Sequence, residues 1–276
     1  MKELSIREVQ AECLEMLRFL DAFCRKHGLD WYLSGGTLLG AVRHKGFIPW
    51  DDDADIMLPR ASYERLLSLA GEIDSGSPYR LMYIGKDDTY HRCWARLCDT
   101  RTARLGEGKY FGEQYGVFVD IYPIDGAPAG RLAGELYFRR MRFWDVLNKV
   151  QKLKRFRHGE RLLRLIAKPL RLIGPIPFAK RMSRVPLRYD YDTSPNRCVA
   201  LACSHYWTRE IMPAEVFDHA VPVRFEDMTL PAPRGWDHYL RALYGNYMEI
   251  PEKYRGQTEF DFTHDYRYGR PEEGDE

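Results

Sequence analysis

The chain has 276 residues, of which 45% are hydrophobic and 30% are charged, the balance of a globular protein with a sizeable core. Residues 1–8 are polar, and no stretch reaches the roughly 18 apolar residues of a membrane span. These features predict a soluble protein of the reducing cytoplasm whose six cysteines are free thiols. Two cysteine pairs share one spacing, Cys93 with Cys98 and Cys198 with Cys203, but their apolar surroundings favour core packing over a zinc site.

The formal net charge of +2 is unevenly distributed along the chain. Residues 131–188 contain 17 lysines and arginines against 3 acidic residues, a local charge of +14 that leaves −12 for the rest of the chain. This asymmetry predicts that the basic region meets an anionic partner.

The first half of the chain alternates predicted helices and strands. Ser5 begins a helix with a capping box, and Gly28 is its predicted C-cap. A strand at 31–33 then ends in Ser34-Gly35-Gly36, from which a short helix at 37–43 starts. Strands are predicted at 53–58, 79–84, 93–97 and 117–122, a helix at 61–70, and a mobile glycine-rich loop at 105–115.

The second half begins with the basic region, which is predicted to be helical over 132–156 and 162–173. A short apolar segment at 199–202, a strand at 221–225, a helix at 236–244 and a disordered tail at 270–276 follow. The element order predicts an α+β fold with a sheet core. We expect a catalytic core at 1–130, a basic helical insertion at 131–195, and residues 196–269 completing the catalytic domain.

The most informative segment is the acidic run that leads into the strand at 53–58. On a strand, Asp51, Asp53 and Asp55 would share one face and Asp52 would point to the other. Such clustering causes repulsion that a cation relieves, and Mg²⁺ prefers carboxylate and phosphate oxygens. The alternative interpretation is a solvated acidic turn.

The glycine turn favours the metal interpretation. Glycine lets a backbone approach a phosphate closely, and amides at a helix start favour an anion. Gly35 and Gly36 precede the acidic strand by about 17 residues, so a phosphate-binding turn and a metal-binding pair would lie together. A third carboxylate, Asp120, lies in an apolar run and either completes the metal site or forms a structural ion pair.

Residues 32–55 resemble the signature of the LicD family, which includes bacterial phosphocholine transferases and is related to fukutin and fukutin-related protein. The resemblance rests on Tyr32-Leu33-Ser34-Gly35-Gly36-Thr37 and Pro49-Trp50-Asp51-Asp52-Asp53-Ala54-Asp55. Similar features follow at 118–125, 223–226 and 243–248, so it covers most of the chain except the basic middle.

The resemblance implies a nucleotidyltransferase-like mixed sheet flanked by helices. It implies a CDP-alcohol donor, such as CDP-choline, and an acceptor hydroxyl on a cell-surface glycan, such as lipopolysaccharide or teichoic acid, or on its lipid-linked precursor. The family's metal aspartates fall on Asp53 and Asp55, with Asp120 as the third, and its donor-phosphate turn falls on Gly35, Gly36 and Thr37.

The chemistry of phosphoryl transfer suggests roles for further residues. Mg²⁺ or Mn²⁺ would neutralise phosphate charge, and Asp120 would accept the acceptor's proton. Cations before the acidic strand would hold the leaving nucleotide phosphate, or would form only a solvated basic turn: Arg43, His44 and Lys45. Asp51 and His264 are further site candidates, and His205 is a weaker one.

Two other functions remain open at this point. The same fold can transfer a nucleoside monophosphate to a small molecule and release pyrophosphate. A non-catalytic glycan-binding relative is the second alternative, although such a relative would have no reason to retain three clustered aspartates. No nucleic-acid motif is present, so a nucleic-acid partner is not expected.

The basic region is predicted to contact an anionic membrane peripherally, at the inner face of the membrane. Its apolar residues recur at helical spacing among the basic ones: Leu162, Leu165, Ile166, Leu170, Leu172 and Ile173. Two alternatives remain: the apolar face packs on the catalytic domain, or the basic residues hold phosphates of the acceptor.

Overall fold

A computed structural model of the chain describes residues 2–86, 90–104, 116–152, 169–199, 206–254 and 266–268. Several predictions lie outside these residues: the loop at 105–115, His205, His264, Cys203, the tail at 270–276, and Leu162, Leu165 and Ile166 of the basic region.

The described fold combines helices with β-structure, as the α+β prediction requires. The helices are α1 (Ile6–His27), α2 (Gly35–Arg43), α3 (Arg60–Ser68), α4 (Ala70–Gly76), α5 (Arg131–Lys152), α6 (Ile176–Ser183) and α7 (Trp236–Tyr244). The strands are β1 (Lys2–Glu3), β2 (Tyr32–Leu33), β3 (Ala54–Pro59), β4 (Tyr79–Met82), β5 (Ala95–Asp99), β6 (Thr102–Arg104), β7 (Phe118–Ala127), β8 (Asn196–Cys198), β9 (Met212–Pro213), β10 (Ala220–Phe225), β11 (Met228–Pro233) and β12 (Tyr266–Tyr268).

A seven-stranded mixed sheet forms the centre of the molecule. Five strands lie in the spatial order β2, β3, β7, β5, β4, and β8 extends the sheet from β7 towards β9. The neighbours β3 and β7 are parallel, whereas β7 runs antiparallel to β5 and β8. Two smaller sheets complete the β-structure: the hairpin β10–β11 and the sheet β1–β12–β6.

The first helix forms as the sequence predicts. Ser5 and Glu8 make the reciprocal capping box, and Gly28 ends the helix in the left-handed region at φ 64°. The buried residues of α1 recur at helical spacing, among them Cys13, Leu17 and Leu20. This apolar stripe packs against the sheet, so α1 lies beneath the strands that carry the acidic residues.

Two local predictions are corrected by the structure. The glycine turn is part of α2, which begins at Gly35 rather than at residue 37. Strand β3 begins at Ala54, so Asp51, Asp52 and Asp53 precede it and do not alternate across a strand. The prediction that Asp52 points away from Asp51 and Asp53 was therefore wrong, because residues outside the pleat are free to point the same way.

The basic region packs around a second, smaller core. Helix α5 turns Tyr137, Phe138 and Met141 inward, where they meet Met182 of α6 and Cys198 of β8. The division of the chain into a core, an insertion and a completing segment stays a prediction. The described cysteines are free and buried, which agrees with the expected core packing: Cys13, Cys24, Cys93, Cys98 and Cys198.

Within the described residues, no helix is both long enough and apolar enough to cross a membrane.

Candidate functional site

The acidic residues converge at the start of β3. Oxygen atoms of Asp51, Asp52 and Asp53 all lie within 4.8 Å of one another, and each side chain retains partial solvent exposure. Asp55 follows as the second residue of the strand. The structure thus gathers three carboxylates just before β3, with Asp55 following on the strand, and supplies the oxygen ligands that Mg²⁺ and Mn²⁺ prefer.

A row of charged residues crosses the sheet at the level of Asp55. In the parallel register of β3 and β7, Asp55 is aligned with Asp120. In the antiparallel register of β7 and β5, Asp120 is aligned with Arg96. The sequence separates these three residues widely, and only the pairing of the three strands brings them into one row.

Asp120 and Arg96 form a buried bidentate ion pair. The Arg96 Nε and Nη2 atoms donate to the two carboxylate oxygens of Asp120 at 2.6 and 2.8 Å, and both side chains are about 5% exposed. Tyr122 donates a further, longer hydrogen bond of 3.4 Å to Asp120. The structural ion pair, one of the two roles open for Asp120, is therefore present, and a carboxylate held in this way still has lone pairs for a cation.

Burial and mutual repulsion disfavour ionisation of the clustered carboxylates. Burial and the neighbouring carboxylates, led by Asp55, raise the pKa of Asp53 well above its ordinary value. Burial and then Asp120 raise the pKa of Asp55 in the same way, while Arg96 and Tyr122 oppose the rise. Burial and Asp52 raise the pKa of Asp51 to about 6. A cation bound here would stabilise the ionised carboxylates and lower their pKa values.

The glycine turn lies directly against these carboxylates. A Cβ added at Gly36 would come within 2.8 Å of Asp51 Oδ2, and one added at Gly35 would come within 3.0 Å of Asp55 Oδ2. Gly35 also has a φ of +50°, a conformation that other residues rarely adopt. The predicted proximity of the glycine turn and the acidic residues is therefore present.

Thr37 connects the turn to the acidic strand through its hydroxyl. The Asp55 amide donates to Thr37 Oγ1 at 2.8 Å, and the Ser34 amide donates to the Asp55 carbonyl at 3.0 Å. Thr37 is buried. These bonds fix the start of α2 relative to the backbone of Asp55, so Thr37 holds the two halves of the site in register.

Two tyrosines from α7 line the glycine turn. The sequence analysis assigned neither a role, although Tyr244 lies in the segment 243–248 that the resemblance included. The Tyr239 hydroxyl lies 3.1 Å from Ser34 Oγ and accepts a bond of 3.3 Å from the Gly35 amide. The Tyr244 hydroxyl would lie 3.7 Å from a Cβ on Gly35. Glu210 is buried near this group, and burial raises its pKa to about 8. A helix that begins 201 residues after Gly35 gives no local signal of this contact.

The underside of the acidic cluster is formed by α1. The buried Gln10 amide donates to the carbonyls of Ile48 and Asp51 at 3.1 and 2.8 Å, which holds the loop before β3. Cys13 is buried nearby, and burial followed by the Asp53 charge raises the pKa of its thiol. A glutamine on the apolar face of a predicted helix is the one sequence signal that could have indicated this role.

The basic residues 43–45 have other partners in the described structure. Arg43 donates to His44 Nε2 and to the Tyr247 carbonyl, both at 2.9 Å, so it ties α2 to the segment after α7. Burial and Arg43 lower the pKa of His44, which favours its neutral form. Lys45 is exposed and donates to the Val42 carbonyl at 3.0 Å. Their assignment to a leaving phosphate stays a prediction.

The β10–β11 turn anchors the loop between α2 and the acidic residues. Glu226, at a φ of 52°, accepts from the Phe47 amide at 2.9 Å, and its own amide donates to the Lys45 carbonyl at 2.7 Å. The segment 223–226, which the sequence resemblance included, therefore supports the site at a distance.

A separate cavity of about 320 Å³ lies between α1 and this hairpin, lined by Asp21, Trp31 and Leu230 among others, and none of the clustered aspartates borders it.

Comparison with known proteins places the site within a described domain. Residues 28–130 match the domain described as "LicD/FKTN/FKRP, nucleotidyltransferase domain". That range includes Gly35, Asp53, Asp55 and Asp120, so the carboxylate row and the glycine turn both lie inside it.

Similar proteins occur in two bacterial genera. The chain is 28% identical over 263 residues to the lipopolysaccharide cholinephosphotransferase LicD of Haemophilus influenzae, which covers 91% of this chain and 94% of that protein. It is 42% identical over 55 residues to uncharacterized proteins of Rickettsia prowazekii and Rickettsia typhi, a match of 20% of this chain and only 18% and 16% of theirs.

Proposed function

Because the chain carries the nucleotidyltransferase domain of the LicD family, we propose that it is a metal-dependent transferase of phospho-alcohols. The donor in this proposal is a CDP-alcohol, with CDP-choline the first candidate because the Haemophilus influenzae relative is a cholinephosphotransferase. The acceptor is a hydroxyl of a cell-surface glycan or of its lipid-linked precursor, since that relative acts on lipopolysaccharide.

The observation that carries the proposal is the acidic cluster beside the glycine turn. Three aspartates place oxygens within 4.8 Å of one another, and Asp51 Oδ2 would lie 2.8 Å from a Cβ on Gly36. Because the glycines have no side chains, the carboxylates lie directly against the start of α2, and the aspartates supply the ligands of a hard cation. A nucleoside diphosphate bound through a divalent cation fits both features.

The acidic residues and the glycines have different proposed roles. Asp53 and Asp55 hold Mg²⁺ or Mn²⁺, with Asp120 as the third carboxylate and Asp51 as an accessory one. Bound there, the cation would neutralise charge on the transferred and leaving phosphates. Gly35 and Gly36 admit the donor diphosphate to the start of α2, where the helix dipole favours an anion.

Asp120 is the proposed proton acceptor for the attacking hydroxyl. Its two bonds from Arg96 fix the carboxylate in one orientation, and the strand register aligns it with Asp55, a proposed metal ligand. A positioned carboxylate of this kind takes up the proton as the oxygen–phosphorus bond forms. The leaving group in this scheme is CMP.

Two alternatives are separated from this proposal by their products. Transfer of a nucleoside monophosphate would release pyrophosphate, whereas transfer of a phospho-alcohol releases CMP. A non-catalytic glycan-binding relative would release neither. The similarity to a cholinephosphotransferase over 91% of the chain favours CMP release.

The test is a donor screen with purified protein, Mg²⁺ and a glycan acceptor fraction. CMP and pyrophosphate are measured with CDP-choline, CDP-ribitol and CDP-glycerol as donors. We expect acceptor-dependent CMP release with at least one donor, loss of that release in Asp55→Asn, and no loss in the control Asp218→Asn, whose side chain is exposed. Pyrophosphate release from CTP with no CMP from any donor would overturn the proposal.

A further inference from the structure

The described surface concentrates its exposed apolar side chains in the basic region. Of the eight large hydrophobic residues that are strongly exposed among the described residues, seven lie between positions 132 and 187. Four are on α5, namely Leu132, Leu136, Phe143 and Val146, and Leu132 is 81% exposed. The other three are Leu172, Ile173 and Leu187, and Leu172 is 91% exposed. We call the four exposed residues on α5 the outer apolar face.

Helix α5 has two separate apolar sides. Its inner side packs Tyr137, Phe138 and Met141 into the small core shared with α6. The four exposed residues follow one another at intervals of four, seven and three positions, the spacing of one helical stripe. At about 1.5 Å per residue the stripe runs for about 21 Å. The inner side packs α5 onto the rest of the protein, and the residues of the outer stripe belong to neither hydrophobic core of the described residues.

By helical spacing, Arg139 lies within this stripe, and Arg131 and Arg140 lie on either side of it. Arg131, Arg139 and Arg140 are exposed on α5, and among the described residues none of them forms an ion pair with a carboxylate. Exposed basic residues continue on the segment after α5, where Lys180, Arg181, Arg184 and Arg188 lie near Leu187. The two acidic residues of α5 are engaged elsewhere, Glu135 with the Trp207 indole at 2.9 Å and Asp145 with Lys149 at 2.8 Å.

The charge of this face selects among possible occupants. A second copy of the chain would bring a second basic face against the first, and like charges would oppose that contact. An anionic lipid surface offers both complements at once: acyl chains for the apolar stripe and headgroup charge for the arginines, whose long stems reach past the apolar residues. An apolar stripe that stays exposed on a helix already packed on its other side marks an interaction surface.

We propose that the outer apolar face, together with the arginines beside it, binds the surface of an anionic lipid bilayer without crossing it. The proposal extends beyond the proposed transferase activity and is tested without any activity measurement. It also moves the predicted contact from the stripe at 162–173, most of which lies outside the described residues, to α5.

The experiment is co-sedimentation of the 276-residue protein with vesicles of phosphatidylcholine alone or of phosphatidylcholine mixed with anionic phosphatidylglycerol. We expect binding to the anionic vesicles at low salt, weak binding to the neutral ones, and a steep fall as salt is raised. Wild-type protein that stays in the supernatant with anionic vesicles at low salt would overturn the proposal.

Paired variants separate the face from charge in general. Arg139→Glu/Arg140→Glu should reduce partitioning by at least about 30-fold, because each arginine near an anionic leaflet contributes about a fivefold factor. The matched control Arg65→Glu/Arg234→Glu has the same net charge change on exposed residues elsewhere and should retain most of the binding. Equal losses in the two variants would contradict a localised surface.

The apolar part has its own variant. Leu136→Ser/Phe143→Ser leaves the charge unchanged and should weaken partitioning by about 10-fold or more, because two side chains no longer enter the interface. Light scattering without vesicles tests the other occupant. A wild-type dimer that this variant converts to a monomer, with no vesicle binding by either protein, would assign the face to a second copy and overturn the lipid proposal.

Discussion

Removal of the Asp53 carboxylate is expected to stabilise the metal-free protein while it removes activity. Asp53 has oxygens within 4.8 Å of those of Asp51 and Asp52. At an effective dielectric constant of about 20, two unit charges at that separation repel by about 3 kcal/mol. Partial exposure and the nearby start of α2 offset some of this repulsion, so Asp53→Asn should increase the free energy of unfolding by about 2 kcal/mol.

The assay is thermal unfolding in EDTA and again in saturating Mg²⁺. For a protein of this size, 2 kcal/mol corresponds to a rise in Tm of about 5 °C in EDTA. Mg²⁺ should raise the Tm of the wild type more than that of Asp53→Asn, since the variant has lost a ligand and has less repulsion to relieve. Asp218→Asn, at an exposed position away from the cluster, should behave as the wild type does.

A Tm of Asp53→Asn in EDTA equal to or below that of the wild type would refute this reasoning. It would mean that Asp53 makes a net favourable interaction with the protein itself. An equal Mg²⁺ response in both proteins would refute the assignment of Asp53 as a ligand.

Three further predictions concern the same site. Gly36→Ala should weaken CDP-donor binding in calorimetry by about 10-fold with little change in Tm, because its Cβ would lie 2.8 Å from Asp51 Oδ2. In the control Gly71→Ala the added Cβ meets no atom within 4 Å, so this variant should bind the donor normally. Arg96→Met should lower the free energy of unfolding by about 3–5 kcal/mol because it leaves the buried Asp120 unpaired. The double variant Arg96→Met/Asp120→Leu should recover most of that loss. A double variant as unstable as the single one would contradict the importance of the ion pair. In EDTA the protein should become less stable as pH rises through about 6, the raised pKa of Asp51 in the folded protein. The protonated Asp51 contributes to the free energy of unfolding fully below the ordinary pKa of an aspartate, and this contribution is lost once the pH exceeds the pKa in the folded protein. A flat Tm profile between about pH 4.5 and 7, or one unchanged in Asp51→Asn, would argue against that sign.

The local elements were predictable where the chain itself contains the signal. The capping box at Ser5 and the left-handed Gly28 set the ends of α1, and the apolar periods located α5 and α7 closely. The predicted LicD resemblance and the α+β class are confirmed by the matched domain and by the mixed sheet. The ends and apolar periods of the helices depend on residues that are close together in the sequence, so they can be predicted from it.

The site could be predicted only in part, because its geometry depends on strand register and on distant packing. Asp53, Asp55 and the glycine turn were identifiable from spacing, yet the carboxylates of Asp51–Asp53 cluster before β3 rather than along it. Arg96 reaches Asp120 only because β5 and β7 pair in one register. Tyr239 reaches Gly35 across 204 positions, and no periodicity within the chain encodes such a contact.

The most direct test of the account is a titration of Mn²⁺ into the protein followed by electron paramagnetic resonance, with and without CDP-choline. We expect saturable Mn²⁺ binding by the wild type, tighter binding when CDP-choline is present, and loss of that binding in Asp53→Asn and Asp55→Asn but not in Asp218→Asn. Mn²⁺ binding that is unchanged in both cluster variants would contradict the claim that this chain's chemistry is centred on Asp53 and Asp55.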